Sequence, residues 1–237
     1  MQFSQIAPQK IGLLVIATNK YISFVGPLWD SARKFFMAGT PHQVTMFVFT
    51  NMPNVPVGTV RIEQEHMKWP GPTLMRYHIF CNHEDVLNKQ DYLFYCDADM
   101  RFEGEVGEEI LGELVATKHP GFWNQPYNVF SQSYENRTES QAYMPPGYGS
   151  VYYAGGFNGG RTGRFLDMAK QIKGWIDVDL AKGIIAKWHD ESYMNKYMTG
   201  NGPDIVLSPA YCYQEEATLP FPRKLVALHK NHVEFRS

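Results

Sequence analysis

Hydrophobic residues along this chain fall into runs that alternate with segments of helical spacing. "IGLLVIAT" (11–18) reads as a buried strand, with an apolar run from Ile11 to Ala17. After it, Leu28, Ala32, Phe35 and Phe36 recur at helical spacing. "VTMFVFT" (44–50) and "TVRIEQ" (59–64) are expected to be two further strands, and residues 73–85 a helix. "DYLFYC" (91–96) is expected to form a fourth strand. In "VGEEILGELVAT" (106–117), Ile110, Leu111 and Leu114 are expected to share one helix face. Strands alternating with helices predict an α/β fold with a mostly parallel central sheet flanked by helices. In such sheets ligands bind beyond the carboxyl ends of the strands.

The second half reads differently. Residues 120–150 are rich in Pro, Gly, Tyr, Ser and Asn and are expected to form long ordered loops around a substrate. "VYYAGGFNGG" (151–160) reads as a strand with internal glycines, the mark of a close approach by another backbone or a ligand. It lacks the G-x-G-x-x-G spacing of a dinucleotide fingerprint. Residues 164–174 and 177–198 read as helices. No linker or repeat divides the 237 residues, so a single domain is expected.

Charge narrows the classes. Twenty-two basic and 24 acidic residues are mixed along the chain, with no basic block, which argues against a nucleic-acid partner. Cys81, Cys96 and Cys212 form neither a CxxC pair nor a disulfide framework, which fits a reducing compartment. The first ten residues have no signal-peptide pattern, and the early apolar run is far shorter than the roughly 20 residues of a membrane span. A soluble, cytoplasmic protein without membrane insertion is expected.

Candidate chemistry sits at two places. Asp97 and Asp99 follow the 91–96 strand one residue apart and, in an extended segment, face the same side. Their repulsion is offset by a hard divalent cation, or else the pair is a solvated turn. "KWHDESYMNKY" (187–197) opens a helix with Trp188, His189, Asp190 and Glu191. Asp190 and Ser192 are candidate caps, but capping needs only one residue. A tryptophan beside carboxylates is also a way to build a sugar site, with Glu191 placed to stabilise an oxocarbenium ion or attack it. The terminal "LHKNHVEFR" (228–236) is either a frayed basic tail or carries two cations, Lys230 and Arg236, that cover a diphosphate. "HPGF" (119–122) reads most simply as a turn.

Together, "IATNKY", "KFFMAG", "VFTNMP", "DYLFYCDADMRF", "VGEEIL", "HPGF", "SQAYMP", "YYAGGFNGG", "WHDESYMNKY", "VLSP" and "KNH" resemble, in this order, glycosyltransferase family six. That family includes the histo-blood-group A and B transferases and α-1,3-galactosyltransferase. The resemblance implies a GT-A-type fold and retaining transfer of N-acetylgalactosamine or galactose from a UDP-sugar to O3 of a galactose-containing oligosaccharide. It implies Asp97 and Asp99 as ligands of Mn²⁺, with Ala98 between them at the donor. It implies Ile16, Ala17 and Tyr21 at the uridine, and Arg76 and Asp190 on the donor sugar. Glu191 becomes the catalytic residue, and His119, Ser133 and Trp188 acceptor contacts. Ala154 and Gly156, flanking Gly155, would tune donor choice, and Lys230 and Arg236 would close over the diphosphate. Residues 11–100 would then be the nucleotide-binding half, and 101–237 the acceptor-binding half with a C-terminal lid. Gln214 stands where the blood-group enzymes carry an acid that contacts the acceptor. Two other classes remain open: a non-catalytic carbohydrate-binding protein, and a transferase or hydrolase using another nucleotide sugar.

Overall fold

A computed structural model of the chain describes residues 7–231 and residue 235. Ten strands are found among them: β1 (Lys10–Ile16), β2 (Gln43–Thr50), β3 (Val60–Glu63), β4 (Tyr92–Cys96), β5 (Met100–Phe102), β6 (Leu114–Lys118), β7 (Tyr153–Arg161), β8 (Ile205–Leu207), β9 (Tyr213–Gln214) and β10 (Leu225–Ala227). The helices are α1 (Ile22–Phe35), α2 (Gly71–Leu74), α3 (Arg76–Asn82), α4 (Glu84–Leu87), α5 (Tyr127–Phe130), α6 (Thr162–Ala181) and α7 (His189–Asn201).

Seven strands form one sheet in the order β3-β2-β1-β4-β7-β6-β8. β7 alone runs antiparallel to its neighbours, and the rest are parallel. β1 and β4 are central and buried on both faces, which is why their sequences are continuous rather than alternating apolar runs. On one face α1 buries Val25, Leu28, Trp29 and Ala32. On the other, α3, α6 and α7 bury residues that include Phe80, Phe165 and Met194. A small sheet of β5, β10 and β9 lies beside this body. No helix among the described residues is long and apolar enough to cross a membrane.

Three expectations are corrected. The helix expected over 106–117 does not form: Glu108–Ile110 make one 3-10 turn and Leu114–Lys118 are β6. The spacing of Ile110, Leu111 and Leu114 mimics a helix face, but Gly107 and Gly112 interrupt it. Gly112 is obligatory here, since a Cβ would lie 2.6 Å from Asp204 Oδ2. The helix expected over 73–85 is three short pieces, broken at Met75 and His83. Finally, α6 runs unbroken through residues 174–177 and ends at Ala181, so 182–188 is a loop. Gly183, at φ +71°, ends the helix, with Gly183 N–H bonded to Leu180 O and Ile184 N–H to Asp179 O.

β7 carries the distortion that shapes the site. Val115 pairs with Gly159 and Thr117 with Ala154, so two steps along β6 span five along β7. The extra residues bulge, and their backbone groups turn to side chains. Gly155 N–H donates to Glu191, Gly155 O accepts from Arg76, and Phe157 O accepts from Thr117 Oγ1. The glycines meet the expected close approaches. A Cβ at Gly159 would sit 2.3 Å from Leu93 O.

Candidate active site

The carboxyl ends of β1 and β4, the bulge of β7 and the first turn of α7 surround a cleft of about 650 Å³. It is lined by Ile16, Tyr21, Arg76, Asp97, Ala98, Asp99, His119, Ala154, Gly155, Gly156, Trp188, Asp190, Glu191, Gln214 and Lys230. Segments from β1 to the region beyond β10 thus converge on one surface. Ala17 is buried behind the cleft, its N–H bonded to Phe49 O. Ser133 is buried in a single 3-10 turn and does not line the cleft. Arg236 lies outside the described residues.

Arg76 is the centre of the charge network. It is 5 % exposed. Its Nη1 donates to Gly155 O at 2.8 Å and its Nη2 to Asp97 Oδ1 at 3.4 Å. Its guanidinium lies over the Tyr95 ring, 3.9 Å from the centroid. Burial pulls its pKa down, but Asp190, Tyr95 and Asp97 outweigh this and the guanidinium is held charged. Tyr95 donates its phenol to Asp97 Oδ1 at 2.5 Å.

Asp190 is 1 % exposed, and its Oδ2 lies 3.1 Å from Arg76 Nε. That contact is not aligned as a hydrogen bond, and neither Asp190 carboxylate oxygen has a hydrogen-bond partner among the described residues. Burial raises its pKa to about 7 against the opposing charge of Arg76. Buried acceptors without donors are costly in a folded protein. Asp190 itself is among the residues that line the cleft.

Glu191 has the opposite arrangement: both its oxygens are engaged. Oε1 accepts from the Tyr152 phenol at 2.8 Å and Oε2 from Gly155 N–H at 2.7 Å. Burial raises its pKa, and those two bonds work against the rise. Tyr152 is itself packed among His119, Phe122 and Tyr134, with ring centroids 5.2–5.6 Å apart. Burial lowers the His119 pKa to about 4, so its imidazole is neutral at pH 7.

At the other end of the cleft, Lys230 forms an ion pair with Asp99 and lies over the Tyr21 ring, 5.0 Å from the centroid. Burial and the neighbouring Asp97 raise the Asp99 pKa, and Lys230 opposes them. Each acid of the pair therefore meets a cation, Arg76 for Asp97 and Lys230 for Asp99. Among the described residues no third carboxylate, histidine or cysteine completes a metal cage around them. Phe235 packs on Tyr21 and Phe24, with ring centroids 5.4 and 4.9 Å apart.

Several lining residues carry no signal in the sequence. Thr18 and His66 meet at 2.9 Å, and Met67 and Trp69 from the loop before α2, with Pro72 and Thr73 of α2, line one wall. Met100 and Cys212 lie under Gly156. Tyr152 stands inside the "YYAGGFNGG" segment with nothing to single it out. Its partner Glu191 is 39 residues away, and only the fold brings them together.

Comparison with known proteins settles the class. The model of "Glycosyltransferase family 6" matches residues 2–237. The chain belongs to glycosyltransferase family 6. It is 37 % identical to histo-blood group ABO system transferase 1 of Rattus norvegicus, over 96 % of this chain and 68 % of that protein. It is 34 % identical to globoside alpha-1,3-N-acetylgalactosaminyltransferase 1 of Homo sapiens, over 91 % of this chain and 64 % of that protein. The canine protein of the same name is 36 % identical over the same shares. The family membership supports glycosyl transfer from a nucleotide-sugar donor to a glycan acceptor.

The loop that presents Trp188 to this family-6 cleft is tied by Glu135, a buried carboxylate. Glu135 accepts from Lys187 N–H at 2.8 Å and from the Arg137 guanidinium at 2.6 Å. Burial alone would raise its pKa; Arg137 and two backbone amides bring it down to about 2 from an ordinary 4.5. A depressed folded pKa means the stabilisation is present above pH 4.5 and is lost as pH falls through 2. Glu135→Gln should therefore lower thermal stability at pH 7 and flatten the acid side of the stability profile. Melting curves from pH 7 to 3 check this; parallel profiles for both proteins would refute it.

Proposed function

We propose that this chain transfers N-acetylgalactosamine, with galactose as a poorer alternative, from the UDP-sugar to O3 of a galactose-containing acceptor, forming an α-1,3 linkage with retention. The observation that carries the reading is the convergence of Asp97, Asp99, Arg76, Asp190 and Glu191 on one cleft at the strand ends. The names of the relatives support it: one is an alpha-1,3-N-acetylgalactosaminyltransferase, another a blood-group transferase.

The mechanism separates charge. Cleaving the anomeric C–O bond leaves negative charge on the diphosphate and positive charge at the anomeric carbon. Asp190 accepts hydrogen bonds from hydroxyls of the donor sugar, which supplies its two unsatisfied oxygens with donors, and Arg76 holds Asp190 in place. Glu191, fixed by Tyr152 and Gly155, stabilises the anomeric cation. Lys230 turns from Asp99 to the diphosphate and offsets part of its charge. Ile16 and Tyr21 flank the uridine. His119, Trp188 and Gln214 meet the acceptor, His119 as a neutral imidazole. Asp97 and Asp99, both oxygen donors in the cleft, would hold a hard divalent cation such as Mn²⁺. When bound, that cation supplies Lewis-acid neutralisation of the departing UDP. The three free thiols support a reducing, cytoplasmic setting.

The test is product analysis with a panel of UDP-sugars and galactose-terminated acceptors, with the new linkage assigned by NMR. An α-1,3-linked N-acetylgalactosaminyl product supports the reading. Hydrolysis alone, or carbohydrate binding without turnover, refutes it.

Donor choice gives a further prediction. Ala154 and Gly156 both line the cleft. A Cβ at Gly156 would lie 2.9 Å from Met100 Cε, 3.1 Å from Asp97 Oδ2 and 3.3 Å from Cys212 Sγ. The methionine tip can yield; the other two atoms are already in tight contact. Because Ala154 and Gly156 are small, UDP-N-acetylgalactosamine is expected to exceed UDP-galactose in kcat/KM by about 10- to 200-fold. Gly156→Ala should shift the ratio toward galactose and, by crowding Asp97, lower kcat for both donors. Equal kcat/KM for the two donors in the unmodified protein would refute it.

A further inference from the structure

We propose that Asn195 is a positioning residue for Glu191, holding the bulged start of β7 in register with the catalytic carboxylate. This rests on the reading of Glu191 given above.

Asn195 is fully buried, one helical turn after Glu191 on α7. Its side chain makes three hydrogen bonds. Oδ1 accepts from Tyr153 N–H at 2.8 Å, and Nδ2 donates to Tyr153 O at 2.9 Å and to Glu191 O at 3.0 Å. The need for this amide follows from the sheet. β4 accompanies β7 only from Arg161 back to Phe157. Toward Tyr153 that side of β7 has lost its strand neighbour, and a buried N–H and C=O would be left unpaired. The Asn195 amide presents an acceptor and a donor together, as a neighbouring strand would. Among uncharged side chains only asparagine and the longer glutamine offer that pair side by side on one carbon.

The consequence reaches the chemistry. Tyr153 lies between Tyr152, whose phenol holds Glu191 Oε1, and Gly155, whose amide holds Oε2. The third Asn195 bond goes to the Glu191 backbone. One side chain therefore ties the residue that carries the carboxylate to the strand that aims it. Without it, the 152–155 segment and Glu191 are free to shift relative to each other, and a displacement of about 1 Å at a catalytic group is enough to cost about 100-fold.

A buried asparagine that only stabilises the fold would change the melting temperature and leave kcat alone. The experiment separates the two roles with a double-mutant cycle on Asn195→Ala and Tyr152→Phe, assayed for transfer and for donor hydrolysis well below the melting temperature. Ser140→Ala serves as a control; it removes a buried hydrogen bond to Asp179, 2.6 Å long, between residues that do not line the cleft. Asn195→Ala is expected to lower kcat by about 10- to 100-fold with donor KM within about threefold. The double variant should be no slower than the worse single variant by more than about threefold, because both changes act through one carboxylate. Ser140→Ala should lower stability and leave kcat unchanged. Should Asn195→Ala fail to fold, Asn195→Ser carries the same expectations. An unchanged kcat, a change confined to KM, or losses that multiply in the double variant would overturn the proposal. If Glu191→Gln itself is as active as the unmodified protein, the reading of Glu191 fails instead.

Discussion

Glu191→Gln is expected to lower kcat for transfer by about 100- to 1,000-fold, with donor KM nearly unchanged. The site makes this substitution a clean measure of charge. Gly155 N–H can only donate, so the glutamine must turn its carbonyl to that amide. Its NH₂ then faces Tyr152, whose hydroxyl can rotate to accept. Both contacts of the carboxylate, at 2.7 and 2.8 Å, survive in kind, and the negative charge is lost. If that charge stabilises the anomeric cation, its removal is felt in the transition state and little in the bound donor. The pH profile offers a second reading. Burial raises the Glu191 pKa above the ordinary 4.5, so kcat should fall with decreasing pH on a limb displaced upward from that value. Steady-state kinetics decide the matter: an unchanged kcat with a raised acceptor KM would reassign Glu191 to acceptor binding.

The sheet is largely legible in the sequence because β1, β2 and β4 are continuous apolar runs, and two-sided burial demands such runs. β6 misleads because only its burial between β7 and β8 distinguishes its Val115-Ala116 from a helix face. The pairing of Asp97 with Asp99 and the cluster at 188–191 are visible because each is local in sequence. Their partners are not local. Arg76 lies 21 positions before Asp97 and 114 before Asp190, and Lys230 is 131 positions from Asp99. The bulge in β7 leaves only a trace, its glycines. They signal a close approach without showing that Gly155 turns its amide to Glu191. The family resemblance supplies roles for individual residues, but not for Tyr152 or Asn195, whose parts depend on how β7 leaves β4.

Asp97→Asn and Asp99→Asn should each lower transfer by at least about 100-fold, and excess chelator should abolish it in the unmodified protein. The two acids line the cleft one residue apart, and their repulsion must be balanced. Arg76 and Lys230 do this in the structure. Arg76 is buried and also holds Gly155 O, so it stays in place. The Lys230 ammonium is held by Asp99 at the end of a flexible stem and can turn to the diphosphate, which leaves Asp99 open to a cation. The departing diphosphate can therefore be neutralised from two sources, by a divalent ion held between both acids or by Lys230 acting directly. They differ in what each perturbation does. If the ion neutralises the departing UDP, chelation stops transfer, Mn²⁺ restores it, and Lys230→Gln costs less than either aspartate change. Lys230→Gln should also bind Mn²⁺ more tightly than the unmodified protein in the absence of UDP, because Asp99 is no longer paired; calorimetry measures this without turnover. If transfer persists in excess chelator while Lys230→Gln abolishes it, the internal cation carries the charge and the metal assignment falls.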